Sequence, residues 1–227
     1  MTSNQEISLE GISERGSARI SARAPWRRAR ATRPERGISG CLSVSRGYSK
    51  IKEAAKAFNF NFRDKTVLDI GSSTGGFTQY ALDRGAKKVI AVEKGTNQMA
   101  KPLRYDPRVE LHEKTDIFDF KLESEINVVV ADVSFISLKP VLKQIKVLKN
   151  ADYLVMLKPQ FEARPDQLTR GVVKNDKIRR EIIKHFEQWL KANGFIILDK
   201  HDNDLKGKTG NKERFYLLTK QNHKHII

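Results

Sequence analysis

The sequence predicts an α/β fold: a mostly parallel sheet with helices on both faces and an antiparallel last strand. Three observations carry this. From residue 45 onward, short apolar runs of strand length alternate with stretches of helical period, the order that builds a parallel sheet. The first apolar run breaks at Gly71 into a glycine-bearing turn that opens a helix. The chain closes with a helix, a strand, a polar loop and a strand, which adds an antiparallel pair at its C-terminal end.

The elements follow in order. A helix over 49–58 carries Ile51, Ala54, Ala55 and Phe58 on one stripe. Strand one spans 66–70, and the helix after it spans 75–84, where Gly85 supplies a C-cap. Strand two is 88–92. A short helix over 96–104 stops before Pro107, and a strand over 109–112 follows. A buried strand over 126–131 precedes a helix over 138–148 and a strand over 153–157. The segment 159–174, with Pro159, Pro165 and Gly171, reads as a long loop. A helix over 175–193 sets Ile178, Ile182, Ile183, Phe186, Trp189 and Leu190 on one face. Strands over 195–200 and 213–219 end the domain, joined by the polar stretch 201–212.

Composition narrows the function. A chain of 227 residues holds one core of about 150–200 residues plus an extension. Its 43 lysines and arginines against 27 acids give a net charge of +16, a field that attracts polyanions such as nucleic acid or an anionic membrane surface. The single cysteine, Cys41, excludes an intramolecular disulfide and argues against a cysteine zinc site, so a reducing, cytoplasmic setting is expected. No histidine pair has zinc-helix spacing, and no metal site is expected. No apolar run approaches the about 20 residues needed to span a bilayer, so no membrane partner is expected.

Residues 1–44 differ from the rest. Their basic residues are all arginines set among Ala, Ser, Gly and Pro, with too few large apolar side chains to offset ordering entropy. They read as a disordered basic extension before a domain over 45–220 and a tail over 221–227. Three accounts stay open for it: a targeting segment, against which Glu6, Glu10, Glu14 and Glu35 weigh; an RNA-contacting arm; or an over-extended reading frame.

The turn itself has a ligand signature. Asp69 to Thr78 reads D-x-G-x-x-x-G-G-F-T, and the next apolar run, Val89–Val92, stops on Glu93. Glycines let backbone approach a ligand, a helix N-terminus offers N–H groups, and a strand-end carboxylate accepts from both hydroxyls of a ribose. The spacing matches neither Gly-x-x-x-x-Gly-Lys nor Gly-x-Gly-x-x-Gly, so it is not a phosphate cradle. It suits a nucleoside carrying an amino acid, S-adenosylmethionine, and with it the Rossmann-like methyltransferase architecture. The expected cofactor-binding residues are Asp69, Gly71, Gly75 and Glu93, with Asp116 near the adenine. Thr115-Asp116 reads equally well as a helix cap, and Phe77 reads as core.

Ligands of open α/β sheets lie outside the carboxyl ends of the strands. Asp132 follows one apolar run and Lys158 another, Glu213 opens the last strand, and Lys50 sits at the start of the first helix. Six segments, Ser-Arg-Gly-x-x-Lys at 45–50, 69–78, Asp132 to Leu138, Lys158 to Glu162, Arg170-Gly171-Val172-Val173 and Gly210 to Glu213, resemble the TlyA or "hemolysin A" type of ribosomal-RNA methyltransferases. That family has an FtsJ-like catalytic domain. The resemblance covers 45 to about 220. It implies 2′-O-methylation of RNA ribose, most directly ribosomal RNA, by a Lys-Asp-Lys-Glu set that falls on Lys50, Asp132, Lys158 and Glu213. Lys158 would serve either as base or as a charged group stabilising the alkoxide while Asp132 orients it. The family usually carries an N-terminal S4-type RNA-binding domain, and residues 1–44 show none of its strand and helix pattern. The alternatives are an RNA- and donor-binding module with little turnover, a membrane-active hemolysin, for which no cationic amphipathic helix speaks, and a small-molecule methyltransferase, against which the charge weighs. The oligomeric state is open.

Overall fold

A computed structural model of the chain describes residues 44–122, 124–148, 150–204 and 210–220. The extension expected over 1–44, apart from Val44, and the tail over 221–227 lie outside the described residues. The strands are β1 (Thr66–Ile70), β2 (Lys88–Val92), β3 (Val109–His112), β4 (Val128–Ala131), β5 (Asp152–Leu157), β6 (Phe195–Asp202) and β7 (Arg214–Lys220). They form one sheet in the order β3-β2-β1-β4-β5-β7-β6. β1 to β5 are mutually parallel, and β7 runs antiparallel to both of its neighbours. β7 is thus the single reversed strand, inserted between β5 and β6.

Helices α1 (Arg46–Ala57), α2 (Gly76–Asp83) and α3 (Lys101–Arg104) cover one face, and α4 (Leu138–Ile145) and α6 (Asp176–Ala192) the other. Both faces are dry, so the central strands are continuously apolar rather than alternating in polarity. Alternation survives in what each residue touches. Leu68, Ile70, Ala131, Val155 and Leu157 pack toward α4 and α6, whereas Val67, Val130, Leu154, Met156 and Phe215 pack toward α1 and α2. Phe77 is core, its ring 6.0 Å from that of Phe215.

Several boundaries differ from the sequence expectation: α1 begins at Arg46 rather than 49 and β6 runs to Asp202 rather than 200, and four further differences are local. The helix expected over 96–104 forms only as α3, because the backbone N–H of Gln98 donates to Glu113 at 3.2 Å and Asn97 adopts φ +54°. The strand expected from 126 begins at Val128; at Asn127 the side chain accepts the Thr66 N–H at 2.9 Å, while the backbone N–H still donates to Thr66 O at 3.0 Å. The helix expected over 138–148 ends at Ile145, where the Tyr153 hydroxyl donates to Ile145 O and, at 2.8 Å, to Leu148 O. The loop expected over 159–174 contains α5 (Pro159–Glu162) and a 3-10 turn, Pro165–Gln167. Each starts on a proline, which is pre-set for a first helical turn.

Candidate active site

The site lies at the edge where β1, β2, β4 and β5 end and β7 begins. On its donor side β1 runs into the turn 71–75. Gly71 (φ +77°) sits against β4's continuation: a Cβ there would lie 3.1 Å from Asp132 O. Gly75 (φ +91°) is pressed against the Leu103 side chain of α3. Gly76 meets α1, where a Cβ would stand 2.7 Å from Tyr48 N and 3.1 Å from Gly47 C. Three elements therefore close on the glycines that begin and end this turn.

Asp69 is fully buried beneath this turn, and Thr78 Oγ1, from α2, donates to its Oδ2 at 2.6 Å. Its Oδ1 has no hydrogen-bond partner among the described residues. Burial pushes its carboxyl up to about 7; the Thr78 hydrogen bond opposes this, and the charges of Asp132 and Glu93 add to it. Glu93, at the end of β2, faces the turn directly. Its Oε2 accepts the Ser73 N–H at 2.9 Å, and its Oε1 accepts the Gly95 N–H at 2.7 Å and the Gln98 amide at 3.4 Å. Asp116 follows β3. It accepts from Lys94 Nζ at 2.9 Å and from the Phe118 N–H at 3.1 Å, so it caps a turn rather than a helix. The Lys94 hydrogen bond, with that of Phe118, holds its carboxyl below the usual range.

This side fits S-adenosylmethionine on the chemistry of its donor set. The Glu93 carboxylate is oriented by two backbone N–H groups. Its weak, long bond to the Gln98 amide is the one a ribose hydroxyl would replace, because a carboxylate offers about four lone-pair sites.

The acceptor side follows from strand alternation. Ala131 and Leu157 face α4 and α6, so the next residues, Asp132 and Lys158, turn toward the α1 side. Leu157 pairs with Arg214 across the β5–β7 ladder, which makes Lys158 and Glu213 the next residues on neighbouring strands. Lys158 Nζ lies 2.6 Å from Asp132 Oδ1 and donates to Ser134 Oγ at 2.6 Å. Lys50 reaches in from α1 to form an ion pair with Glu213; the two residues are 7 % and 3 % exposed. The loop Arg170–Val173 is tied to the start of β7 by Asn211, which accepts the Val173 N–H at 3.0 Å and donates to Gly171 O at 3.1 Å. The structure thus gathers the expected set as two ion pairs, Lys158–Asp132 and Lys50–Glu213, with Asp132 backed on Gly71.

Sequence reasoning missed three features of this edge. Ser134 joins Lys158. Phe135 projects into solvent, 89 % exposed with φ +67°, its ring 5.5 Å from that of Phe161. Gln98 crosses from Ser73 Oγ, at 3.1 Å, to Glu93. The conformation and exposure of Phe135 leave no trace in a one-dimensional pattern, whereas Ser134 was within the noted segment Asp132 to Leu138.

Comparison with known proteins agrees with this geometry. The profile of the FtsJ-like methyltransferases matches residues 43–221. The 23S rRNA (cytidine-2′-O)-methyltransferase TlyA of Campylobacter jejuni is 37 % identical over 181 residues, 79 % of this chain and 72 % of that protein. The 16S/23S rRNA (cytidine-2′-O)-methyltransferase TlyA of Mycobacterium tuberculosis is 37 % identical over 184 residues, 78 % of this chain and 69 % of that protein. A solved structure from Lactococcus lactis, carrying a hemolysin name, superposes with a TM-score of 0.77 at 35 % identity, over 81 % of this chain and 91 % of that one. Among the described residues no helix is long and apolar enough to cross a membrane. With a profile match over most of its length and relatives of this similarity, the chain belongs to the FtsJ-like methyltransferase family, in its TlyA branch.

Proposed function

We propose that this protein transfers a methyl group from S-adenosylmethionine to a ribose 2′-hydroxyl of ribosomal RNA. The observation that carries the reading is the convergence of Lys158–Asp132 and Lys50–Glu213 on the edge that holds the glycine turn and Glu93. Relatives named for cytidine-2′-O-methylation support the substrate class. The net charge of +16 suits a polyanionic acceptor.

When bound, S-adenosylmethionine supplies an electrophilic methyl group on a positively charged sulfur. Glu93 would hold the ribose of the donor and Asp116 would lie near the adenine, while Asp69, buried, supports the turn from below through Thr78. On the acceptor side, Lys158 forms an ion pair with Asp132 and donates one N–H to Ser134. An N–H of its ammonium remains for the acceptor oxygen, whose growing negative charge it stabilises. The hydroxyl proton would pass to the Asp132 carboxylate, since the charged ammonium of Lys158 cannot take it, while the oxygen's new bond to the methyl carbon replaces that carbon's bond to sulfur. Lys50 and Glu213 close the other side of the cluster with a fixed, buried ion pair. Phe135 offers an exposed ring face beside Lys158 on which an acceptor base can stack.

The test is transfer of labelled methyl from S-adenosylmethionine to ribosomal subunits lacking 2′-O-methyl marks, with wild type and Lys158→Ala compared. Label in RNA from wild type alone, located on a 2′-oxygen, supports the reading. Full activity of Lys158→Ala sinks the assignment of the lysine. Absence of transfer by wild type with donor and RNA both bound favours a binding module instead.

A further inference from the structure

Glu162 closes the segment Lys158 to Glu162, yet it has no part in the chemistry above. Its side chain is 3 % exposed, on a helix of one turn. The carboxylate meets the start of α4. Its Oε1 accepts the Leu138 N–H at 2.7 Å, its Oε2 accepts from Ser137 Oγ at 2.8 Å, and Lys139 Nζ lies 3.7 Å from that same oxygen. Ser137 is the N-cap of α4, and its hydroxyl oxygen in turn accepts the Lys139 N–H at 3.2 Å. A carboxylate at this position satisfies N–H groups that a helix start leaves without partners. Glu162 therefore caps α4 from another element.

The segment that this cap anchors is 132–137. After Asp132, whose N–H donates to Ile70 O at 3.1 Å, it belongs to no helix or strand. It nevertheless holds Phe135 at φ +67°, a conformation that costs energy in a side-chain-bearing residue and persists only where its surroundings impose it. Three braces impose it in register with the segment 158–162. Lys158 meets Asp132 and Ser134, Phe161 meets Phe135, and Glu162 meets Ser137 and Leu138. The first brace consists of reacting groups, and the second is a ring contact open to water. The third is charge-assisted, its carboxylate side chain is 3 % exposed, and it involves no reacting group, so it is a fixed point of the loop independent of the chemistry.

From this geometry we infer that Glu162 is a positioning residue: by capping α4 it holds loop 132–137 so that Asp132 and Ser134 meet Lys158 and Phe135 stays exposed. The inference rests on the methyl-transfer reading given above. Without the carboxylate, the Ser137 hydroxyl and the Leu138 N–H lose their partner, and the loop is free to leave the strained conformation. Asp132, at its other end, remains tethered to β1 through its N–H but loses its angular control.

The experiment compares wild type, Glu162→Ala, Glu162→Gln and Lys158→Ala, measuring methyl transfer to unmethylated ribosomal subunits, S-adenosylmethionine binding by calorimetry and amide hydrogen exchange. Glu162→Ala is expected to lower kcat about 10²-fold, the scale of a misplaced reacting group. Donor affinity should stay within about twofold of wild type, because Glu93 and the glycine turn lie on other strands. Exchange at the Leu138 amide should accelerate while that of β1 and β5 does not. Glu162→Gln keeps an oxygen for the Leu138 N–H and an amide that can donate to the Ser137 hydroxyl, so it should recover most of the rate. Glu162→Ala turning over within about twofold of wild type, where Lys158→Ala is dead, would overturn the clamp and leave the reaction assignment standing. Loss of donor binding and global exchange protection in both Glu162 variants would overturn it too, by making the residue a general folding element. A wild type without transfer, or a fully active Lys158→Ala, would remove the reading on which it rests.

Discussion

Replacing Glu213 by alanine strands the Lys50 ammonium in the core between α1 and β7. The two residues are 7 % and 3 % exposed, and Lys50 is followed on α1 by the buried Ile51, Ala54 and Ala55, so water has little access to the vacated position. Removing one member of a buried ion pair costs about 3–5 kcal/mol, because the remaining charge has lost its counter-ion and has not regained its hydration. At a urea m-value of about 2 kcal/mol/M this lowers the unfolding midpoint by about 2 M. The double variant Lys50→Met/Glu213→Leu removes both charges and keeps the volume. Such replacements are often neutral or stabilising, so its midpoint should return to that of wild type or exceed it. Methyl transfer should be lost in the single and the double variants alike, which separates the chemistry of the pair from its stability. Urea unfolding followed by circular dichroism at pH 7, with the transfer assay alongside, reads both quantities. A single variant losing less than about 1 kcal/mol would mean that the pair behaves as a surface pair. A double variant as unstable as the singles would show that the charges, not their mismatch, hold α1 in place. An active double variant would take the pair out of the reaction.

Four other expectations concern neighbouring residues. Gly75→Ala should abolish donor binding in calorimetry, since its φ of +91° and the packed Leu103 side chain both oppose a Cβ; Gly76→Ala should destabilise the domain by thermal unfolding, because the obstructing atoms are backbone of α1. Asp69 makes stability fall with pH. Its folded value, about 7, lies above the ordinary carboxylate value of 3.8, so the native state holds the proton longer and the advantage is lost as pH rises through about 7. Between pH 5 and pH 8 the loss is on the order of 3 kcal/mol, and urea midpoints of Asp69→Asn should lack that part of the decline. Phe135→Ala should raise KM for RNA by about 1–3 kcal/mol equivalent while leaving that for S-adenosylmethionine unchanged, the worth of stacking one base on a ring; an unchanged KM for RNA would remove the platform.

The sheet was legible where burial leaves one reading. β1 and β2 occupy the residues expected, because short buried runs between polar ends have no competing period, and β3 does so as a short alternating segment, Val-Glu-Leu-His. The acidic and basic residues at strand ends were legible for the same reason, since the end of a run is also the edge of the sheet. Lys50 and Glu213 were reached through the resemblance of their segments, and that they pair with each other is a fact of three dimensions, 163 positions apart in sequence. α5 escaped because one turn of helix shows no periodicity. Glu162 was noted only as the last letter of a segment, and its task depends on a partner helix whose approach no local pattern encodes. The position of β7 between β5 and β6 likewise depends on long-range pairing, although an antiparallel pair was expected from the order of elements.

The reversal of β7 bears on how such an enzyme can diversify. Because Asp202, at the end of β6, pairs with Arg214, at the start of β7, the connection between them both leaves and re-enters the sheet at the reacting edge. Insertions or deletions there would alter what the acceptor meets without shifting the register of any strand, since the ladders on both sides are already set by buried residues such as Phe215 and Tyr216. A parallel strand in that place would need a crossover that leaves at this edge and re-enters the sheet on the opposite one. Changes of target nucleotide within this fold should therefore accumulate as length variation just ahead of Glu213, while the donor turn, enclosed by three elements, stays constant in length.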